Sequence, residues 1–321
     1  MRDQRRARLA AALVATIVAG CGGGGGASGT SSTVDIDGSS TVFQISQAAR
    51  EAYSAVNPDV TVVVDNHGTG GGFSNYLNGE IDVVDASRPA KPDEEAKAKA
   101  QGIPWTRFTV GFDGITVVVH PENTFVKSLT VAQLKAIWEP GSKVKTWKDI
   151  DPSWPDRNIV FYSPDGDSGT FEYFTEAIVG KPKQQRDDVQ PSSDDNTLVN
   201  GVAGDPDGLG YFGYAYFEAN ASKLRAIPVQ NGDGAQPVLP SAATVLDKSY
   251  KPLSRPLYIY VKNASLRRPA ARGFVSYYLE NLEELAKKGG YVPPSPEERD
   301  ANLKTLSGTG GDAASSAKDA A

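Results

Sequence analysis

A single cysteine, Cys21, and two histidines, His67 and His120, are spread over 321 residues. One cysteine cannot form an internal disulfide, so the fold must rest on its apolar core. Without a Cys/His cluster the sequence offers no zinc motif. None of its glycine-rich loops carries a Walker A lysine. Basic residues are the minority charge: 33 Lys and Arg against 39 Asp and Glu give a formal net charge of −6. That balance argues against a broad basic surface for nucleic acid or anionic lipid, while leaving room for a small anion held in a cleft. No apolar run reaches the roughly 20 residues of a membrane-spanning helix. Tandem repeats are absent too. With 39% apolar and 22% charged residues, the composition is that of a soluble globular protein.

The first twenty residues read as an export signal. Arg2, Arg5, Arg6 and Arg8 form a basic region, and a short apolar run to Gly20 leads into Cys21. Val18-Ala19-Gly20-Cys21 resembles a bacterial lipobox, which makes Cys21 the expected lipidation site. The Gly/Ser-rich stretch 21–32, including Gly22 to Gly26, is expected to be a flexible tether. A disordered Gly/Ser/Ala tail is expected over 308–321.

From Thr33 onward short β-branched segments alternate with amphipathic ones, the order of an α/β fold with a mostly parallel sheet. "TVDIDG" reads as a strand, followed by a helix that stops at Asn57-Pro58. "VTVVVD" is almost wholly apolar, as for a strand covered on both faces. A helix is expected over Gly72–Asn78, a strand at "IDVVDAS", and a helix over Asp93–Gln101. "FTVGFDGITVVVH" reads as two strands. Farther on, "TVAQLKAIWEP" and "DDNTLVNGVAG" read as helices, "RNIVFYS" and "RPLYIYV" as strands, and "GLGYFGYAYF" as an apolar turn region. Pro269–Lys288 reads as one long helix.

Three segments share a strand, a Gly/Ser/Thr turn and a helix start: Gly38-Ser39-Ser40-Thr41-Val42-Phe43, Gly68-Thr69-Gly70-Gly71-Gly72-Phe73 and Asp167-Ser168-Gly169-Thr170-Phe171. Each is an N-cap region with unpaired amides and a partial positive charge, a ready site for an anion. Any one of them alone is explained by plain capping. Three together, lightened by glycine, point to one shared anion. Ser40-Thr41-Val42-Phe43 and Ser168-Gly169-Thr170-Phe171 look alike and are expected to clamp that anion from two lobes.

Gly166-Asp167-Ser168-Gly169 also matches the stretch around a serine-protease nucleophile. Such a serine needs a base held by a third group, and neither histidine stands in the expected setting. The βα order conflicts with an all-β protease barrel. Thr170 breaks the Gly-x-Ser-x-Gly elbow, and Phe73 breaks a Gly-x-Gly-x-x-Gly fingerprint. The protease, nucleophile-elbow and dinucleotide-binding readings do not survive these tests, and no cofactor is expected.

With these segments placed, the chain closely resembles the phosphate-binding proteins of bacterial phosphate ABC transporters, the PstS type. "DGSSTVFQISQA", "GTGGGFSNYLNGEIDVVDASRP", "SPDGDSGTFEYFTEAI", "SDDNTLVNGVAGDPDGLGYFGYAYF" and "PLSRPLYIYV" carry the likeness in order, from about Val34 to Leu306. The resemblance implies a two-lobed type 2 periplasmic-binding fold with a two-stranded hinge near "TVGFDG" and "SRPLYIYV". Lobe one would comprise 33–110 and 256–307, and lobe two 111–255. It implies phosphate as ligand, a membrane permease as partner, a lipid anchor on Cys21, an extracytoplasmic location and a monomer. Phosphate ligands carried over by position are Ser40, Thr41, Val42, Thr69, Gly70 and Gly71 from lobe one, and Ser168, Gly169 and Thr170 from lobe two. The family's arginine before Ser-Gly-Thr and its aspartate after Ala-Ser are replaced here by Ser163-Pro164 and by Arg88 in Ala86-Ser87-Arg88. Arg88, beside Ser87, is therefore expected to supply the guanidinium, and Asp167 or Asp165 to accept the phosphate proton. His67 stands where a serine is expected and could tune affinity with pH. Two rival readings stay open: a binding protein for sulfate or molybdate, and a secreted phosphoester hydrolase.

Overall fold

A computed structural model describes residues 32–309. The expected signal segment, Cys21, most of the tether and the tail beyond Thr309 lie outside the described residues.

Lobe one opens with β1 (Thr33–Gly38), α1 (Ser40–Val56), β2 (Thr61–Val64), α2 (Gly68–Leu77), β3 (Val83–Ala86) and α3 (Pro92–Ala100). β1 pairs in parallel with both β2 and β3, as alternating β and α segments require. The apolar strand β2 is an edge strand, and it buries only one face: Val62 and Val64 point inward while Val63 is 39% exposed. Its all-apolar sequence had suggested cover on both sides.

The chain then enters β4 (Trp105–Val119), one continuous strand where the sequence suggested two. Its first part pairs antiparallel with β11 (Ser254–Lys262), and its last residues pair antiparallel with β8 (Gly208–Gly213). β4 thus passes from one lobe into the other, and the sheet is mixed, with its antiparallel pairs at the centre and parallel pairs outside.

Lobe two continues with β5 (Leu129–Thr130), α4 (Val131–Trp138), β6 (Val160–Pro164), α5 (Gly169–Phe174), β7 (Gln190–Ser192) and α6 (Asp195–Gly204). After β8 come α7 (Tyr214–Ala219), β9 (Arg225–Ala226), β10 (Val229–Gln230) and α8 (Ala242–Leu246). The apolar "GLGYFGYAYF" is therefore a buried strand and a short helix; its all-buried pattern fits a strand covered on both faces. After β11 the chain adds α9 (Pro269–Glu280), α10 (Leu282–Lys288) and α11 (Pro296–Gly308). Asn281 separates α9 from α10, where one long helix was expected.

Each lobe has its own core. In lobe one α1 lays Ile45, Ala49 and Tyr53 against Phe274 and Tyr278 of α9. In lobe two Trp138 is fully buried, with edge-on contacts to Phe161, Phe174 and Tyr211 at 5.6, 5.8 and 4.9 Å. Each such aromatic pair contributes about 0.5–1.5 kcal/mol beyond its burial. A smaller cluster seats α2, whose Phe73 and Tyr76 pack on Trp105 and Tyr260. No helix among the described residues is long and apolar enough to cross a membrane.

Candidate functional site

Helices α1, α2 and α5 all begin at the cleft between the lobes. Gly38 brings the first of them there. It adopts φ +146°, and a Cβ would sit 2.0 Å from the Asp85 carbonyl oxygen, so only glycine lets β1 close on β3. The Ser39 amide then donates to that same carbonyl at 2.9 Å. The Ser39 hydroxyl caps α1, accepting from the amides of Thr41 at 3.2 Å and Val42 at 3.5 Å. In lobe two the Ser168 hydroxyl caps α5 in the same way, accepting from Thr170 at 3.2 Å and Phe171 at 3.4 Å.

This geometry moves the alignment of the two jaws by one residue. Ser39, not Ser40, is the counterpart of Ser168; Ser40 then matches Gly169 and Thr41 matches Thr170. Ser39, Ser40 and Thr41 line the cleft. Val42, carried over as a ligand, is fully buried with its amide turned to Ser39, and it lines neither cavity described here.

Helix α2 starts four residues earlier than the sequence suggested. Thr69, Gly70 and Gly71 are its first turn, with their positive helix end at the cleft. The Thr69 hydroxyl lies 3.2 Å from that of Ser87 and also accepts from the Ser87 amide at 3.2 Å, tying α2 to the end of β3. His67 precedes the helix. Its Nδ1 is 3.0 Å from Oδ2 of the buried Asp37.

The guanidinium at the centre belongs to Arg255, which the sequence reading missed. From β11 it donates to Thr41 Oγ1 of lobe one at 2.9 Å and lies 3.7 Å over the Tyr173 ring of lobe two. Its Nε and one Nη both reach Asp113 Oδ2 at 3.3 Å. Asp113 is fully buried, and burial holds its carboxyl above the usual range although Arg255 opposes the shift. Arg88 lines the same cleft, but its guanidinium is taken by a two-pronged pair with Glu94 at 2.8 and 2.9 Å. The sequence signal for Arg255 was its place in the hinge motif "SRPLYIYV".

Around these groups the space divides in two. A cleft of about 640 Å³ is walled by Thr41, His67, Thr69, Arg88 and Arg255 of one side and Glu172, Tyr173 and Glu176 of the other. A second cavity of about 380 Å³ is walled by Ser40, Ser168, Gly169 and Thr170 together with Asp165, Asp167 and Asp195. Asp167 is exposed, and its amide donates to Asp165 Oδ1 at 3.1 Å in a local turn. Asp195 has no hydrogen bond to its carboxylate among the described residues. Burial, then the neighbouring charges of Asp194, Asp113 and Asp165, push it up to about 6. Ser168 makes no hydrogen bond to either histidine among the described residues.

Comparison with known proteins places this arrangement. A PBP superfamily domain matches residues 24–281. Protein SphX of Synechocystis sp. is 46% identical over 272 residues, covering 84% of this chain and 80% of that protein. The chain belongs to the PBP superfamily. The phosphate-binding protein PstS of Staphylococcus saprophyticus is 39% identical over 257 residues, 80% of this chain and 78% of that one. The crystal structure of a possible phosphate binding protein from Planctomyces limnophilus superposes with a TM-score of 0.83 at 44% identity, covering 86% of this chain and 98% of the other. The two-lobed α/β architecture is thus that of its relatives, and the site lies in the interlobe cleft of a PBP fold.

Proposed function

We propose that this protein captures inorganic phosphate between its lobes and delivers it to the membrane permease of an ABC transporter. It acts as a monomer outside the cytoplasm, held to the membrane by lipid on Cys21. The observation that carries this reading is the meeting of the α1 and α5 starts beside Arg255: Ser40 and Gly169 line both cavities, Arg255 the larger one, and Ser168 and Thr170 the smaller. A charge-assisted hydrogen bond in such a place contributes about 1.5–3 kcal/mol. Several of them outweigh the desolvation of a dianion and the closing of the lobes. The names of the PstS and possible phosphate-binding relatives support the same ligand. No covalent step is part of this reading; Ser168 serves as cap and donor.

Selectivity against sulfate requires an acceptor for the proton that hydrogen phosphate keeps. Asp195 suits this better than Asp167. It shares a cavity wall with Ser40, Ser168 and Thr170 and its carboxylate makes no hydrogen bond among the described residues, whereas Asp167 is exposed in a turn.

Thermal melting with phosphate, sulfate and molybdate tests the proposal. Phosphate at about a thousand times its Kd adds about 4 kcal/mol of stability, and the other two add far less. A melting point that phosphate leaves unmoved overturns it. Loss of the Cys21→Ser variant from the membrane fraction checks the anchor separately.

A further inference from the structure

Asp37 and His67 form a unit beside the helix starts and the Arg255 guanidinium. The Asp37 carboxylate is only 3% exposed and accepts four hydrogen bonds. Gly38 N donates to Oδ1 at 2.7 Å, His67 N to Oδ1 at 3.0 Å, and Asn75 Nδ2 to Oδ2 at 2.6 Å. His67 Nδ1 completes the set at 3.0 Å from Oδ2. The other acceptances fix the carboxylate, and the carboxylate in turn fixes the imidazole. An ionised acceptor at Nδ1 selects the tautomer that carries its proton there. Nε2 is then the variable position. The His67 side chain is 69% exposed, and it forms part of the cleft wall beside Thr69, Gly70 and Thr41.

We propose that His67 is a switchable ligand of the cleft anion, donating from Nε2 when protonated and losing that donor and its charge when neutral. This rests on the phosphate reading above. With Nδ1 committed to Asp37, a neutral ring offers the cleft only a lone pair, which can accept from the single O–H of a hydrogen phosphate and bonds none of its bare oxygens. The protonated ring offers an N–H and a positive charge. Proton and anion therefore favour each other's binding by the same factor. The charged groups that share the cleft with His67 are Arg88 and Lys91 from the segment after β3, Arg255 from β11, and Glu172 and Glu176 from lobe two, with Asp37 beneath it. His67 is the one imidazole among them.

Proton NMR of the intact exported chain tests this directly, because its two histidine rings give two separable signals. Addition of inorganic phosphate should move the His67 titration midpoint upward and leave that of His120 in place. Calorimetry on the wild type and His67→Gln supplies a second readout. Phosphate itself changes charge with pH, but that change cancels in the affinity ratio between the two proteins. The ratio should favour the wild type by at least about fivefold more at low pH than at high pH. Normal phosphate binding with an unmoved His67 signal and a pH-independent ratio overturns this inference alone. Absence of phosphate binding at every pH overturns it together with the proposed function.

Discussion

Arg255 and Asp113 stand opposite each other on β11 and β4, paired in register where the chain crosses between the lobes. One carboxylate oxygen of Asp113 holds the guanidinium, and the other, Oδ1, is buried without a hydrogen-bond partner among the described residues. The arginine is thus aimed by a carboxylate in the hinge while it touches Thr41 and Tyr173 on either side. Its position bridges the two lobes at the cleft.

Arg255→Ala is expected to weaken phosphate binding by about a hundredfold, the loss of one charge-assisted contact. It also strands the Asp113 charge, which destabilises the fold by about 3–5 kcal/mol. Burial outweighs Arg255 at Asp113 and holds its carboxyl above the ordinary value, and the substitution removes the one group that opposes that shift. Stability linked to such a group is present at low pH and lost as pH rises through the folded-state value. The gap between wild type and variant in urea melts should therefore be small near pH 4 and widen toward neutrality. A gap that does not change with pH sinks the assignment.

Gly169 faces Thr41 with no space between the jaws. A Cβ there would lie 2.5 Å from Thr41 Oγ1 and 2.9 Å from Thr41 N, so one of the lobes would have to withdraw. Gly169→Ala should hold the cleft ajar, at about 1–3 kcal/mol of overpacking. Phosphate affinity falls by roughly ten- to a hundredfold in consequence. Small-angle scattering should show less compaction on phosphate addition than in the wild type. Equal compaction and equal affinity would mean that closure does not bring these residues together.

Arg88 and Arg255 are separated by their partners. Burial raises the Glu94 carboxyl, but Arg88 and the Lys91 amide overcome that and hold it below its usual value. Arg88→Ala is expected to reduce phosphate affinity less than Arg255→Ala and to destabilise the fold by about 1–3 kcal/mol. A carboxyl lowered in the folded state contributes above its unfolded pKa and loses that contribution as pH falls. The Arg88→Ala defect should accordingly shrink below about pH 4.5, the opposite trend to Arg255→Ala. Chemical denaturation across that range checks it.

The alternation of elements was legible because period and breakers are local: α1 does stop at Asn57, and β1, β3 and β11 stand where their sequences put them. What sequence could not supply was pairing. "VTVVVD" looks the same at an edge as at a centre, so β2 was misplaced by its composition. "FTVGFDGITVVVH" read as two strands, yet β4 runs on because its two ends pair in different lobes. In the site, the hydroxyl-rich helix starts were legible, and all three stand at the cleft. Their offset was not, since Ser39 and Ser40 are chemically alike and only the cap geometry tells them apart. Arg255 was hidden for another reason. It lies in a strand, far in sequence from Thr41 and Asp113, whereas Arg88 follows a motif that drew attention to it.

Asp195 provides the last test, because its two roles predict opposite effects of one substitution. As the acceptor for the phosphate proton it should face sulfate as an unpaired charge. Asp195→Asn is then expected to bind phosphate less tightly and sulfate more tightly, narrowing the preference by about tenfold or more. Without ligand, the same carboxyl is a burden. Its value, raised to about 6 by burial and by Asp194, Asp113 and Asp165, means that the folded state holds the proton more firmly than the unfolded chain. The associated stability is full below the ordinary carboxylate value and is lost as pH climbs to about 6. Asp195→Asn should match the wild type near pH 4 and exceed its melting temperature increasingly up to about pH 6, with a constant difference beyond. A variant that is no more stable at pH 7 and keeps full discrimination would return the acceptor role to another carboxylate of the same cavity.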